Sequence, residues 1–350
     1  MIDWLSFSFP CHHRAPINGG HVIAFDSHGE IDWKTAKWSD VEGSHDSKIR
    51  VRTSTHSAEP CTHVEVSGNP VKLFQGHNLW GTDDLPGLVI ETISHLVNAL
   101  DLTPTPPDRR AWELGNIPLT RVDVTDSYSL PSRSEVLAWL RAAEQTAHLS
   151  HRGRGQLVKG STLYFGQHSR RWSLKLYAKA QEIEAKGHEQ HTVLDLPSAR
   201  AWVDGILRAE LVIRGMELRR LHLGDVADWG DSDGVPFQPL DLLRSRLGTM
   251  TMTTTITLPD AVIATLTSGQ RTAYLAWLAG ADLRTILPQN SFYRLRRKLL
   301  PHGVDIATLQ PTDASNVVPL VRVLEAVPAG VPDWAIGTPL YFEPRRLRAA

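Results

Sequence analysis

The stretch Ser161-Thr-Leu-Tyr-Phe-Gly-Gln-His-Ser-Arg-Arg-Trp-Ser-Leu-Lys-Leu-Tyr177 predicts the architecture of the region around it. Apolar and polar residues alternate on both sides of a basic turn that contains a glycine, and this pattern predicts a β-hairpin. Because side chains alternate across a strand, the second half places Ser173, Lys175 and Tyr177 on one face. A tyrosine that ends a strand usually packs structurally, so a functional role for Tyr177 depends on its neighbours.

Four further runs alternate in the same way, at 3–9, 61–66, 118–126 and 206–214. Three of them carry ionisable residues on one face, namely His63 and Glu65, Arg121 and Asp123, and Arg208 and Glu210. Residues 85–100 and 134–148 instead show helical spacing of apolar residues. We therefore predict an α+β domain. An ordinary half-exposed sheet shows the same alternation, so the pattern alone does not separate a catalytic face from a solvated one.

Composition limits the classes of protein that fit. The 350 residues, 41% hydrophobic and 21% charged, are enough for one large core or two. A net charge of -1 argues against a protein that coats nucleic acid indiscriminately, but residues 152–186 hold eight basic and two acidic residues. No membrane span or signal peptide is expected. Two cysteines without metal-finger spacing indicate a reducing compartment, so we expect a cytoplasmic protein.

A stretch rich in Gly, Asp and Pro at 228–239 predicts a domain boundary, which gives a first domain over 1–228 and a second over 229–350. The second domain has a helical pattern, apart from the Thr-rich 249–257, which fits one strand or a loop. Within 268–300 we predict a helix capped by Ser268, a short helix over Leu283–Leu287, and a third helix capped by Asn290.

The third of these helices has a basic outer side. Phe292, Leu295 and Leu299 form its apolar stripe. The basic residues left outside are Arg294, Arg296, Arg297 and Lys298. Two interpretations fit equally well: a helix-turn-helix with a basic recognition helix that binds DNA, or a small helical bundle with a solvated basic face.

Carboxylates, a histidine, basic residues and a tyrosine on one side of a sheet are the groups that a metal-assisted phosphodiester reaction needs. Oxygen ligands and phosphate chemistry favour Mg²⁺ or Mn²⁺ over zinc. A phenol has a pKa near 10 and must be eased toward phenolate to act as a nucleophile. Lys175 and Lys179 lie where they could assist Tyr177 electrostatically, and Glu182 follows one helical turn later.

Short motifs scattered along nearly the whole chain resemble one known family. They are Met1-Ile-Asp3, Gln75-Gly-His-Asn78, Gly81-Thr-Asp-Asp-Leu85, Thr120-Arg-Val-Asp123, Ser161-Thr162 through Tyr177-Ala-Lys179, Leu207-Arg-Ala-Glu210, Pro288-Gln-Asn-Ser-Phe292, Asn316-Val-Val-Pro-Leu-Val-Arg322 and Pro332-Asp-Trp334. In this order and spacing they resemble the replication initiators (gene II proteins) of filamentous phages. The hairpin, the Tyr-x-Lys-x-x-Glu segment and the Arg-x-Glu strand are also similar to the trans-acting initiators of rolling-circle plasmids.

The resemblance implies an antiparallel-sheet tyrosine-nuclease domain of the rolling-circle initiator (HUH-like) type. It implies that Tyr177 attacks a phosphodiester at the origin of double-stranded circular DNA, stays joined to the 5′ phosphate, and later rejoins the displaced single strand. A host helicase and polymerase are the implied partners. For DNA contacts in this domain we expect Arg121, Arg170, Arg171 and His77.

The sequence departs from the wider class of such nucleases at the metal motif. That class carries a His-hydrophobic-His motif on a strand, whereas His63-Val-Glu65 is the nearest substitute here. We rank the metal ligands as Asp123 first, then Glu210 and Glu65, then His63. Two rival functions remain, a relaxase or transposase with the same tyrosine chemistry and a non-enzymatic origin-binding repressor. Tyr177 discriminates between the enzyme and the repressor.

Overall fold

A computed structural model describes residues 1–13, 15–17, 20–43, 47–54, 61–185, 190–231, 235, 237–252, 258, 260–302, 304–307 and 328–344. The strands are β1 (Ile2–His13), β2 (His21–Phe25), β3 (Ile31–Ala36), β4 (Ser39–Glu42), β5 (Lys48–Thr53), β6 (Cys61–Gly68), β7 (Leu119–Ser129), β8 (Ala147–Leu149), β9 (Gly153–Arg154), β10 (Gln156–Val158), β11 (Thr162–Phe165), β12 (Trp172–Ala178), β13 (Ile206–Arg214) and β14 (Met250–Met252).

The helices of the large first body are α1 (Pro70–Gln75), α2 (Leu85–Ala99), α3 (Pro106–Glu113), α4 (Arg133–Thr146), α5 (Lys179–Glu184), α6 (His191–Leu194), α7 (Pro197–Asp204), α8 (Gly215–Arg220) and α9 (Pro239–Gly248). The later helices are α10 (Asp260–Thr265), α11 (Ser268–Leu278), α12 (Leu283–Ile286) and α13 (Gln289–Leu299). Short 3₁₀ turns occur at Val226–Trp229 and Leu300–His302. None of the helices in the described part of the chain has the length and apolar character needed to cross a membrane.

Nine strands form one sheet in the order β10-β11-β12-β13-β7-β1-β6-β5-β4, and each neighbouring pair is antiparallel. Helices α2, α4 and α9 cover its apolar face, where residues such as Leu88, Leu140 and Leu243 join one core with Val124 and Leu211. The prediction of an α+β protein with a large antiparallel sheet is therefore confirmed. The opposite face carries the ionisable residues.

A smaller core lies beside the ionisable face. It contains Leu79 and Trp80 from a loop, Ile183 from α5, Val203 from α7, and Ala335 from near the C-terminus. Helix α5 follows β12 directly and packs against β12 and β13. This small core therefore covers the end of the face to which Tyr177 belongs.

The C-terminal third contributes residues to more than one hydrophobic core, and the domain boundary after residue 228 stays a prediction. Helix α9 buries Leu243 in the core of the large sheet, and Phe342 packs against the same core. A separate core draws on residues between 258 and 307, with Tyr274 and Trp277 at its centre. Helix α9 thus packs with the first body, because its apolar side needs the sheet to bury it. Residues of α9 and Met250 pack with the core of the large sheet, whereas the buried residues from Leu258 to Ala307 pack in the separate core.

Three helices follow one another over 268–299, which confirms a helical C-terminal region. The cap of α11 is Thr267, whose side chain accepts a hydrogen bond from the Gln270 backbone, so Ser268 is the first helical residue. Helix α13 begins at Gln289 after Pro288, one residue before the predicted Asn290 cap, because proline cannot continue the preceding segment. This arrangement fits both a helix-turn-helix and a small bundle.

Candidate active site

The register of the sheet brings the predicted residues into rows on its ionisable face. Tyr177 on β12 lies opposite Arg208 on β13, and Lys175 lies opposite Glu210. Glu210 in turn lies opposite Thr125 on β7. Residues that are directly opposite in antiparallel strands share a face, so the tyrosine, the lysine and the glutamate form one cluster.

Tyr177 is at the centre of this cluster and is almost completely buried, with 1% of its surface exposed. The Nζ atom of Lys175 lies 4.1 Å from the centre of the Tyr177 ring, and that of Lys179 lies 6.0 Å away. Burial raises the pKa of the Tyr177 phenol well above its ordinary value, and the charges of Glu210 and Glu182 raise it further. The phenol is therefore protonated at neutral pH in this conformation.

Lys175 forms an ion pair with Glu210, with 3.1 Å between Nζ and Oε2. Burial lowers the pKa of Lys175, but the adjacent Glu210 carboxylate outweighs this and raises it above its ordinary value. Lys175 is thus a fixed positive charge against the ring of Tyr177. It can stabilise negative charge that develops on the phenol oxygen or on a phosphate nearby.

Lys179, the first residue of α5, is fully buried in a network of polar groups. Its Nζ donates to Asn78 Oδ1 at 2.8 Å and to Glu182 Oε2 at 2.7 Å. Asn78 Oδ1 also accepts from Gln190 Nε2 at 2.8 Å, and Asn78 Nδ2 donates to Asp3 Oδ1 at 2.9 Å. Burial lowers the pKa of Lys179, while the Glu182 charge acts in the opposite direction. The network fixes the turn that follows Tyr177.

Arg208 is fully buried beside Tyr177. Its guanidinium donates to the backbone carbonyl oxygens of Asn78, at 3.1 Å, and Leu79. The loop that carries Asn78 and Leu79 is therefore held at this end of the face, because Arg208 lies directly opposite Tyr177. Together with Asn78, Asp3 and Gln190, Arg208 belongs to the site, although it was not among the residues predicted for it.

Asp123 forms the second acidic position and is 1% exposed. Arg121 binds it through two hydrogen bonds, of 2.8 and 2.6 Å. Burial raises the pKa of Asp123 to about 7 despite the opposing effect of Arg121, and Glu210 and Asp3 add to the rise. Asp123 lies opposite Val212, two residues along β13 from Glu210, so the two carboxylates are diagonal neighbours on one face.

The donor set can be compared with what a divalent cation requires. Mg²⁺ commonly binds through one or two carboxylates and retains several water molecules, so Asp123 and Glu210 suit it chemically. Within the described residues no group of three or more His, Cys, Asp or Glu side chains is arranged to hold a metal. Binding would therefore require the ion pairs with Arg121 and Lys175 to rearrange, and the remaining ligands would be water and phosphate.

Glu65 and His63 are not brought to this pair. They lie on β6, which is two strands from β7 in the sheet order. Glu65 faces Ser8 of β1, whereas Asp123 faces Trp4. Two bonds from Arg52 hold the Glu65 carboxylate. The prediction that these two residues bind the same metal as Asp123 receives no support from their positions.

The basic residues expected to bind DNA fall in different surroundings. Arg170 and Arg171 are exposed in the turn before β12, roughly 20 Å from Tyr177 at about 3.3 Å per residue. Arg121 is partly exposed, at 38% of its side chain, on the ionisable face. His77 is buried, and its Nε2 bonds to the carbonyl oxygen of Leu340, which gives it a packing role.

The basic residues of helix α13 also differ in their exposure and in their partners. Arg294, Arg297 and Lys298 are exposed. Arg296 instead binds both oxygens of Asp305, at 2.7 and 2.8 Å, and donates to His148 at 2.9 Å. Three of the four predicted contacts on this helix are therefore available to a partner, while Arg296 ties α13 to the body of the large sheet.

Comparisons with known proteins match both parts of the chain to the same family. The family model for the N-terminal part of the phage replication-associated protein, the gene II protein, matches residues 1–232, and the model for its C-terminal part matches residues 258–343. The replication-associated protein of Enterobacteria phage I2-2 is 35% identical over 336 residues, which cover 95% of each chain. The protein of the same name from Enterobacteria phage M13 is 25% identical over 325 residues, covering 79% of this chain and 77% of that protein.

Solved structures match this chain as well, and one of them is a replication initiator. The rolling circle replication initiator protein from Geobacillus stearothermophilus aligns with 73% of this chain and 86% of its own, at 15% sequence identity and a TM-score of 0.32. That score is too low for a comparison of the two folds in detail.

Proposed function

This chain belongs to the family of phage replication-associated proteins known as gene II proteins, and from that membership we propose that it initiates rolling-circle DNA replication. In this proposal it is a site-specific endonuclease that nicks one strand at an origin and later rejoins the displaced strand. Double-stranded circular DNA carrying the origin and single-stranded DNA are its substrates. A host helicase and polymerase would act on the nick, since a 3′ hydroxyl is what a polymerase extends.

The observation that supports this chemistry is the row of Tyr177, Lys175 and Glu210 on one face of the sheet, with Asp123 diagonal to it. A nucleophile, a fixed cation and two carboxylates are the parts of a phosphoryl transfer. They come from three adjacent strands, β12, β13 and β7. A rigid sheet therefore holds them, as positioning requires.

In the proposed reaction the Tyr177 oxygen attacks the scissile phosphorus, and the bond to the 3′ oxygen breaks. The phenol proton is lost, the 3′ oxygen gains a proton, and the 5′ phosphate remains on Tyr177. Attack of a 3′ hydroxyl on this phosphotyrosine reverses the step and closes a strand. Lys175 stabilises charge on the phosphate. Asp123 and Glu210 would hold Mg²⁺ or Mn²⁺, which would supply further charge stabilisation.

Burial of Tyr177 sets a condition on the mechanism. A phenol with 1% of its surface exposed cannot reach a phosphodiester. Arg208, which lies opposite Tyr177 on the neighbouring strand, holds the loop of Asn78 and Leu79 at this end of the face. We therefore propose that DNA binding displaces this loop, because loops over active sites commonly open and close during turnover.

The test is nicking of a supercoiled plasmid that carries the cognate origin, with purified protein and Mg²⁺, followed by gel separation of nicked and supercoiled forms. Wild type should nick and Tyr177→Phe should not, while both bind the origin. Tyr128→Phe is a matched control, since Tyr128 is a partly buried tyrosine on β7 whose hydroxyl bonds to Asp126. Nicking by Tyr177→Phe at the wild-type rate would remove the proposed nucleophile.

A non-enzymatic origin binder is the second candidate, and the near-complete burial of Tyr177 favours it. An origin binder of this kind should bind the origin tightly, and neither wild type nor Tyr177→Phe should nick it. A relaxase or transposase would use the same tyrosine chemistry on other DNA. Nicking of a transfer origin or of transposon ends, but not of a replication origin, would identify that activity.

A further inference from the structure

A cationic cleft lies between the body of the large sheet and the helices that surround Tyr274 and Trp277. It is a cavity of about 550 Å³ between the turn from β8 to β9 on one side and α12 with α13 on the other. Its polar lining includes His148, His151, Arg152, Arg284, Tyr293 and Arg296. We call it the cationic cleft, and it is distinct from the face that carries Tyr177.

Two arginines of the cleft have no acidic partner among the described residues. Arg296 is neutralised by Asp305. Arg152 donates to backbone carbonyl oxygens, those of Trp172 at 3.1 Å and His151 at 3.0 Å. In the part of the chain that the structure describes, neither Arg152 nor Arg284 has a carboxylate within ion-pairing distance. Glu217 acts on Arg152, and Asp282 on Arg284, from beyond that distance. The cleft still has an excess of positive charge, which fits an anionic group.

The positive charge continues away from the cleft along the end of the sheet. The guanidinium groups of Arg152 and Arg246 lie over the Trp172 ring, 3.9 and 4.6 Å from its centre. Glu217 binds Arg246 at 3.0 Å and Arg171 at 3.3 Å. Burial lowers the pKa of Arg152, the charge of Glu217 opposes this, and Arg246 and Arg171 lower the pKa further, so Glu217 offsets only part of the repulsion among these cations.

The same charge reaches the catalytic face. Arg214 ends β13, where it lies opposite Arg121 of β7 and donates to Ser173 at 3.3 Å. Arg214 also contributes to the electrostatic environment of Arg152, while Arg121 holds Asp123. A line of arginines therefore connects the acidic pair with the cationic cleft around the end of the sheet.

We propose that the cationic cleft binds single-stranded DNA, with Arg152 and Arg284 contacting phosphates and Tyr293 stacking on a base. Tyr293 is 56% exposed and lines the cleft. Single-strand sites combine a basic groove with aromatic side chains, whereas a cavity of this size cannot admit a double helix. The inference rests on the proposed function, because it assigns a path to the strand that leaves the catalytic face.

The experiment measures binding of the full chain to a fluorescein-labelled oligothymidylate by fluorescence anisotropy over a series of NaCl concentrations. Arg284→Ala should weaken binding about fivefold, and the slope of log K against log salt should fall by about 0.7 for one lost phosphate contact. Arg284→Lys should keep the slope. Tyr293→Ala should weaken binding about tenfold through lost stacking with no change in slope. Arg109→Ala, an exposed arginine on α3, is the control and should bind as wild type.

Unchanged affinity and slope in both Arg284→Ala and Tyr293→Ala would overturn the inference. Loss of affinity for a duplex of the same length, with single-strand binding unchanged, would overturn it as well. Thermal unfolding of each variant confirms that its fold is retained. Plasmid nicking by wild type is scored separately, so absent nicking with Arg284-dependent single-strand binding refutes the enzyme and leaves the cleft assignment intact.

Discussion

Tyr177, Lys179 and Arg208 are large polar residues with at most 1% of their surface exposed. Burial of such groups is costly unless each polar atom finds a partner. Lys179 is satisfied by Asn78 and Glu182. At the scale of single residues, the site is therefore held by contacts that also limit its access to DNA.

Replacement of Lys179 tests the structural part of this network. Lys179→Met should lower the free energy of unfolding by about 3 kcal/mol, because Glu182 and Asn78 lose a buried donor. Chemical denaturation measures the change. Lys48→Met is the control, since Lys48 forms an exposed pair with Glu42 at 3.5 Å and should change stability by less than about 1 kcal/mol. If Lys179→Met lowers the free energy of unfolding no more than Lys48→Met does, the network contributes nothing to stability.

Replacement of Asp123 tests the proposed chemistry. Asp123→Asn should reduce origin nicking at least about 100-fold, the usual cost of losing one oriented electrostatic group. Origin binding should stay within about tenfold of wild type. Gel assays of nicking and anisotropy of binding measure both quantities. Glu65→Gln is the companion variant, and its retention of nicking would remove Glu65 from the metal ligands.

The outcome for Asp123 also depends on folding. Arg121 binds both of its oxygens, so the Asn variant removes a charge pair as well as a ligand. Loss of nicking together with loss of the thermal transition would assign Asp123 a structural role.

At the scale of elements, α3 shows how one carboxylate ties a helix to the sheet. Asp108 accepts from the His12 backbone at 3.1 Å and the Thr105 backbone at 2.9 Å, and its other oxygen bonds to the His12 ring at 2.8 Å. Burial raises the pKa of Asp108, but these hydrogen bonds outweigh it and lower the pKa below its ordinary value. The carboxylate is thus both a helix cap and a link to β1.

Asp108→Ala should therefore lower the free energy of unfolding by about 1 to 2 kcal/mol at pH 7. Because the folded pKa is depressed, this stabilisation is present above the ordinary pKa and is lost as the pH falls through the folded value. The difference between wild type and variant should accordingly shrink in acid. Denaturant titrations at pH 7 and at acidic pH measure it. Glu113→Ala, at an exposed pair with Arg110, should change little at either pH, and a constant difference for Asp108→Ala would refute the linkage.

Elements with strong alternation were predictable from the sequence. The run 206–214 coincides with β13, and 172–177 with β12 up to one residue. Strands β2 and β3 were missed because they form a separate two-stranded hairpin with exposed apolar residues such as Phe25 and Trp33. Such strands lack the contrast between a buried and a solvated face on which the prediction depends.

The site was predictable only where strands define it. The pairing of Lys175 with Glu210 follows from residues that share a face. Asn78 and Asp3 meet across 75 residues of sequence, and Asn78 and Gln190 across 112, so no local pattern indicates them. Asn78 did lie within the Gln75-Gly-His-Asn78 motif that resembles the family, which is the one signal that pointed to this loop.

At the scale of the whole molecule, the residues near the C-terminus support the active-site loop. The Leu340 carbonyl oxygen accepts from His77 Nε2 at 2.9 Å and Trp80 Nε1 at 2.8 Å. The Phe342 ring stacks on Phe74, with 4.4 Å between the ring centres. These contacts flank Asn78 and Leu79 on both sides. The loop of Asn78 and Leu79 is therefore anchored by a segment that lies more than 250 residues away in sequence.

This anchoring predicts that Phe342→Ala loosens the loop that carries Asn78 and Leu79. Loss of the stacked ring should lower the free energy of unfolding by about 2 kcal/mol, less than for a fully buried Phe because Phe342 is only half-buried. The loop would also be held less firmly, so hydrogen exchange at the amides of residues 76–80 should accelerate. Ile336→Ala is the matched control, since Ile336 lies in the same segment with 54% of its surface exposed. If Phe342→Ala destabilises the protein and leaves exchange in this loop unchanged, the C-terminal segment stabilises the fold but does not hold the loop in place.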